Sequence, residues 1–173
     1  MSEQLGLFGE TEDQEASKPV NVVVSPRVQF FDLETKKSAE EVGGWGNIRK
    51  MGLAVGVVWD SLDREFFTYE EKDARPLVDK LRTADLAVGF NIIGFDYTVL
   101  QPYSDFDLQE INTFDMLVDV KKRLGFRLSL NHLAQHTLNA KKSADGLFSL
   151  HQVVECCLEF VVFRAGPFAG DDF

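Results

Sequence analysis

Hydrophobic positions along the chain fall into short blocks whose period changes from one block to the next. Val28-Gln29-Phe30-Phe31-Asp32-Leu33-Glu34 is a compact apolar run behind Pro26, the pattern of a buried central strand. Leu53–Asp60 and Glu65–Tyr69 read as two further strands joined by a turn at Asp60–Asp63, an antiparallel hairpin. Asp73 then suits an N-cap, Pro76 a first helical turn, and Leu77, Val78 and Leu81 an apolar helical stripe to about Thr83. Leu86–Phe90 predicts another strand and Asp96–Gln101 a helix closed by Pro102. Asn112–Asp115 predicts a short strand followed by a helix over Met116–Leu124. Apolar residues at 128, 130, 133, 134 and 138 give a second helical period. Phe148–Phe163 is apolar enough for a buried helix, though its β-branched and aromatic content also suits a strand. Three strands in succession and then alternating helices and strands predict a mixed α/β layer fold.

The first 26 residues stand apart. They are polar and acidic, with no sustained apolar period beyond Leu5-Gly6-Leu7-Phe8, and read as a flexible tail before a domain over 27–173. Residues 36–50, with Gly43-Gly44-Trp45-Gly46-Asn47, read as a flexible connection. The length of 173 residues suits one domain with a real core, and 15 phenylalanines imply an aromatic interior. No run approaches the ~20 consecutive apolar residues of a membrane span, and no basic n-region precedes an apolar stretch. The two cysteines, Cys156 and Cys157, are adjacent and staple nothing distant, so a reducing cytoplasm is expected.

A net charge of −10 argues against nucleic acid as a partner until its placement is considered. The tail holds five acids and one base, leaving 23 acids and 17 bases for the domain. Lys121-Lys122-Arg123 with Arg127, and Lys141-Lys142, survive as basic clusters. Carboxylates gathered around divalent ions also make a chain acidic.

Asp32 and Glu34 carry the first chemical signal. Strand residues i and i+2 share a face, and two like charges ending an apolar strand are costly unless a cation lies between them. A hard ion such as Mg²⁺ or Mn²⁺ suits carboxylate oxygens, whereas a strand running out into solvent explains the same acids without one. Asn91-Ile92-Ile93-Gly94-Phe95-Asp96 carries the second: Gly94 permits a tight strand-to-helix turn, and Asp96 is placed as a ligand or as a helix cap.

Together, Asp32-Leu33-Glu34-Thr35, a hairpin, a helix, a strand and Asn91-x-x-x-Phe95-Asp96 resemble the DEDD superfamily of 3′→5′ exonucleases, which have a ribonuclease H-like fold. Leu128-Ser129-Leu130-Asn131-His132-Leu133-Ala134 and Lys141-Lys142 are similar to the branch near the exonuclease domains of family B DNA polymerases. The resemblance runs from about Val28 to Leu147. It implies a mixed five-stranded sheet with helices on both faces, and hydrolysis at single-stranded 3′ ends, DNA being preferred, by two divalent ions, Mg²⁺ or Mn²⁺. It places Asp32, Glu34 and Asp96 as metal ligands, Thr35 beside the terminal nucleotide, and Asn91 and Phe95 along the substrate channel.

The family ends with Tyr or His followed four residues later by Asp, and that pair is missing here. The nearest form is His151-Gln152-Val153-Val154-Glu155, with His151 as base and Glu155 as fourth carboxylate. Aligning on Val153–Cys157 instead puts Cys156 and Phe160 in those places, and counting from Gly146 leads to Phe168, near Asp171 and Asp172. The alternative function is therefore a module that binds nucleic acid or a clamp, retaining the fold without the last carboxylate. Gln4, Leu5, Leu7 and Phe8 resemble the peptide with which bacterial replication and repair proteins dock on the sliding clamp. His132 and His136 are spaced i, i+4 without an apparent third ligand, and Asp115 and Asp119 suit either an acidic cleft or helix caps.

Overall fold

The computed structural model describes residues 25–137 together with Val154, Cys157 and Leu158. Five strands form one mixed sheet: β1 (Val28–Thr35), β2 (Leu53–Asp60), β3 (Glu65–Glu70), β4 (Leu86–Gly89) and β5 (Thr113–Asp115), in spatial order β3-β2-β1-β4-β5. The β1–β2 and β2–β3 pairs are antiparallel, whereas β4 runs parallel to both β1 and β5. The helices are α1 (Ala74–Leu81), α2 (Asp96–Leu100), α3 (Met116–Leu124) and α4 (Leu130–Thr137).

β1 sits at the centre because both of its faces are apolar. Phe31 and Leu33 join one core with Leu77 and Leu81 of α1 and Val99 and Leu100 of α2. Phe30 joins a second with Met116 and Val120 of α3, Leu133 of α4, and Val154 and Cys157. Successive side chains on a strand point to opposite faces, so Phe30 and Phe31 each close a different layer. Burying each ring stabilises the fold by about 2–3 kcal/mol. The same parity puts Asp32 and Glu34 on the α3–α4 side.

Several boundaries differ from expectation for identifiable reasons. The strand expected over Leu86–Phe90 stops at Gly89, where a Cβ would lie 2.5 Å from Ile92 Cγ2 and 2.6 Å from the Phe31 carbonyl oxygen, so only glycine lets the chain turn there. Asp73 precedes α1 but makes no side-chain cap bond, because a 3₁₀ turn over Glu71–Asp73 leads directly into the helix. Pro102 lies inside a 3₁₀ turn, Gln101–Tyr103, that extends α2. The connection over residues 36–50 is not shapeless: Trp45–Lys50 forms a kinked 3₁₀ segment tied down by Ile48 against the first core. Val154, Cys157 and Leu158 are helical, which favours the helix for Phe148–Phe163 at those positions; the rest of that stretch lies outside the described residues.

An ion-pair network closes the sheet end away from the Asp32 side. Asp60, fully buried, accepts from Arg27 at 2.6 Å, Lys80 at 2.9 Å and Gln29 Nε2 at 2.9 Å. Burial pushes its carboxyl up, but Lys80, Gln29 and the Asp63 and Leu62 N–H groups outweigh that and hold it well below the usual carboxylate range.

Candidate active site

The carboxyl ends of the three parallel strands carry the chemically loaded side chains. Asp32 and Glu34 come from the end of β1, Asp96 from the segment leaving β4, and Asp115 from the last position of β5. Open α/β sheets place ligands at this edge because loops of different lengths converge there above a rigid sheet. The β1–β2 register shifts between Glu34 and Thr35, a bulge that ends regular pairing where the acids emerge.

Asp32 and Asp96 lie near enough across this edge for the charge of Asp32 to act on Asp96. Asp96 is 2% exposed, and its buried Oδ1 has no hydrogen-bond partner among the described residues. Burial first, and then the charge of Asp32, raise the Asp96 carboxyl well above the usual range, with Asp115 adding a smaller push. Asp32 is partly exposed; burial and then the charge of Glu34 push it up to about 7. The Leu33 N–H lies close enough to both carboxyls to favour their charged forms, which places the pair around one backbone group. Two desolvated carboxyls and an orphaned oxygen make a site that disfavours negative charge.

Glu34 is exposed and reaches Asp32 only through its charge. The three carboxylates expected to converge are therefore a close pair with a third at the rim. Among the described residues, no group of three or more His, Cys, Asp or Glu side chains is arranged to hold a metal ion. The Thr35 hydroxyl donates to the Lys37 carbonyl at 2.9 Å, folding back on the chain after the bulge. The His132 and His136 rings meet at a tilt of 45°, with centroids 4.3 Å apart. Asp119 accepts from Arg123 Nε at 2.8 Å along α3. His151, Glu155 and the tail residues Gln4, Leu5, Leu7 and Phe8 lie outside the described residues.

Asp115 has a larger part than its sequence context suggests. Its Oδ1 accepts from Asn91 N at 2.8 Å, Leu117 N at 2.9 Å and Val118 N at 3.4 Å, and its Oδ2 accepts from Ile93 N at 3.1 Å. One buried carboxylate thus caps α3 and fastens the β4–α2 loop that delivers Asp96. The left-handed residue in that loop is Asn91, at φ 64°, rather than Gly94. Asn91 tolerates this conformation better than most residues, and the Asp115 bond holds it there. The helix that follows opens without a side-chain cap, so Asp96 is not spent on capping. Phe95 is half-buried against the first core and meets the exposed Trp45 edge-on at 6.3 Å between centroids. A groove of about 500 Å³ beside α2, bordered by Arg49, Gln101, Asp105 and Gln109, includes none of Asp32, Glu34 or Asp96.

No protein-family model matches the chain, and no curated protein does. Among solved structures, the family B DNA polymerase of the hyperthermophilic archaeon Pyrobaculum calidifontis superimposes with a TM-score of 0.51 at 18% sequence identity, over 84% of this chain. The fold is ribonuclease H-like. The chain covers 25% of that polymerase, so the likeness is to one part of a much larger protein. In this ribonuclease H-like frame the antiparallel β2–β3 hairpin lies on the side of β1 away from β4 and β5, and the acids gather where the parallel strands end. No described helix is long and apolar enough to cross a membrane.

The site residues fit a hard divalent cation in kind. Asp32 and Asp96 offer carboxylate oxygens, one of them unpartnered, in a place where burial penalises uncompensated charge. Glu34, at the rim, is the next oxygen donor along the same strand face.

Proposed function

We propose that this chain is a metal-dependent 3′→5′ exonuclease acting on single-stranded nucleic acid, DNA in preference, with its domain over residues 27–173. The observation that carries the reading is the Asp32–Asp96 pair, with Asp96 buried and its Oδ1 without a hydrogen-bond partner among the described residues. Such a pair destabilises the fold unless a cation joins it, and destabilised sites of this kind belong with function. The ribonuclease H-like frame and the motif Asn91-x-x-x-Phe95-Asp96 support the same reading.

In this reading Asp32 and Asp96 hold Mg²⁺ or Mn²⁺, with Glu34 completing the donor set from the rim. Divalent ions bound there supply charge stabilisation at the scissile phosphate and acidify water. Phe95 and Asn91 line the path of the terminal nucleotides, and Thr35 stands beside the last one. Asp115 keeps the Asn91–Phe95 loop in register, so that Asp96 arrives at a fixed distance from β1. His151 serves as base and Glu155 as the fourth carboxylate. Residues 1–26 form a tail whose Gln4, Leu5, Leu7 and Phe8 dock on a sliding clamp, raising the enzyme's local concentration on DNA.

The test is a 5′-labelled single strand incubated with the purified full chain and Mn²⁺. Progressive shortening from the 3′ end, abolished by Asp32→Asn and by EDTA, is expected. A wild type that binds the strand without shortening it would replace the enzyme with a non-catalytic module that keeps the fold.

A further inference from the structure

We infer that the 3₁₀ segment Trp45–Lys50 is a binding site for single-stranded nucleic acid, with Trp45 stacking on an unpaired base and Arg49 and Lys50 meeting the phosphates behind it. The inference rests on the exonuclease reading for its choice of ligand, but its own observations are separate from the carboxyl pair.

Trp45 is 69% exposed, the most exposed of the large hydrophobic residues described. Leaving an indole in water is unfavourable unless it has something to cover, and this one is not loose. Its ring is braced edge-on by Phe95 at 6.3 Å, and its segment is anchored by Ile48 in the first core and by the buried Met51 just beyond it. A braced, exposed aromatic face is what base stacking requires, and because every base has a π-face such contacts tolerate any sequence.

Position argues for the same ligand. Phe95 is the chain neighbour of Asp96, so the residue that braces Trp45 also adjoins the buried carboxyl pair. A strand whose end enters that site would pass the indole within a few nucleotides. Charge decides between a nucleic acid and an apolar protein surface. Arg49 and Lys50 close the same segment, both exposed, and neither makes an ion pair among the described residues. At a rise of about 2 Å per residue, Trp45 and Lys50 lie within about 10 Å of each other along the backbone. In a chain of net charge −10, two cations that make no ion pair among the described residues, beside an exposed indole, complement a phosphate-linked base better than they complement an apolar partner.

The chain has two tryptophans, so a Trp59→Phe background leaves Trp45 as the sole fluorophore. The experiment titrates that full chain with eight-residue oligothymidylate, and in parallel oligouridylate, in EDTA so that no cleavage accompanies binding. Saturable quenching of Trp45 is expected. Affinity measured by anisotropy of a labelled strand should fall about tenfold in Trp45→Ala and be restored in Trp45→Phe. Arg49→Ala should lower the salt dependence by about one phosphate contact. Binding with Trp45 silent, or with equal affinity in Trp45→Ala, overturns the inference and leaves the carboxyl-pair reading standing. No binding to either strand also overturns it, whatever the cleavage assay shows. Quenching in a chain that never cleaves upholds the binding site while refuting the enzyme.

Discussion

The Asn91 N–H donates to Asp115 Oδ1 at 2.8 Å, joining the left-handed residue after β4 to the last residue of β5. The same carboxylate takes the Ile93 N–H and two N–H groups at the start of α3. Four backbone donors on two elements therefore depend on one side chain. Removing it leaves the buried Leu117 N–H and three partly buried N–H groups without this partner, and a buried group costs about 1–3 kcal/mol when unmade. Asp115→Ala should lower stability by about 3 kcal/mol in urea unfolding. Asp115→Asn, which keeps one acceptor oxygen, should cost about half as much. In cleavage assays on folded protein, Asp115→Asn should lower kcat and raise KM together, since the loop it loosens carries both Asp96 and the nucleotide-lining Asn91 and Phe95.

The carboxyl pair makes stability depend on pH in a definite direction. An unfolded aspartate releases its proton near about pH 4, whereas burial and Glu34 push folded Asp32 up to about 7. Between those values the folded chain binds more protons than the unfolded one, so its stability falls as pH rises from about 4 to about 7. In metal-free buffer at pH 7.5, Asp32→Asn should therefore be more stable than wild type, on the order of 2 kcal/mol, as read by thermal melting. A melting temperature lower than that of wild type would contradict the burial of charge at this position.

Asp60 has the opposite sign. Its folded carboxyl is held well below the ordinary range, so its contribution is complete above about pH 4 and is lost as pH falls through the folded value. Asp60→Ala leaves Arg27 and Lys80 with Asp63 as their remaining ion-pair partner and should cost about 2 kcal/mol at pH 7. The loss should begin to shrink in acid, where the unfolded chain's Asp60 already takes up a proton while the folded carboxylate still resists one. Urea titrations of both proteins at pH 7 and pH 3 check this.

Phe8→Ala should abolish capture of the full chain by an immobilised bacterial sliding clamp, while leaving 3′-end shortening of free strands unchanged. Equal capture of both proteins would remove the tail from the account.

Much of the fold was legible because the determining signals are local. The apolar run around Phe30 and Phe31, the hairpin turn after Asp60 and the stripe Leu77, Val78, Leu81 each specify an element within a dozen residues. Asp32 and Asp96 were legible as a pair only through their motifs, since 64 positions separate them and only the parallel β1–β4 pairing brings them together. The exposure of Glu34 was not legible, because strand parity gives the face and not the depth. Asp115 carried the signal of an N-cap, which it is; its grip on Asn91 and Ile93 depends on β4 lying beside β5. The bracing of Trp45 by Phe95 had no sequence signature, since it joins residues 50 positions apart that only the fold brings together.

Direct Mn²⁺ binding at pH 7.5, followed by the paramagnetic resonance of the free ion, tests the central claim that the Asp32–Asp96 pair is a cation site. Wild type should deplete the free-ion signal and gain melting temperature on adding Mn²⁺, whereas Asp96→Asn, still folded, should do neither. A wild type that leaves the signal untouched, or an Asp96→Asn variant that binds as tightly, would contradict it.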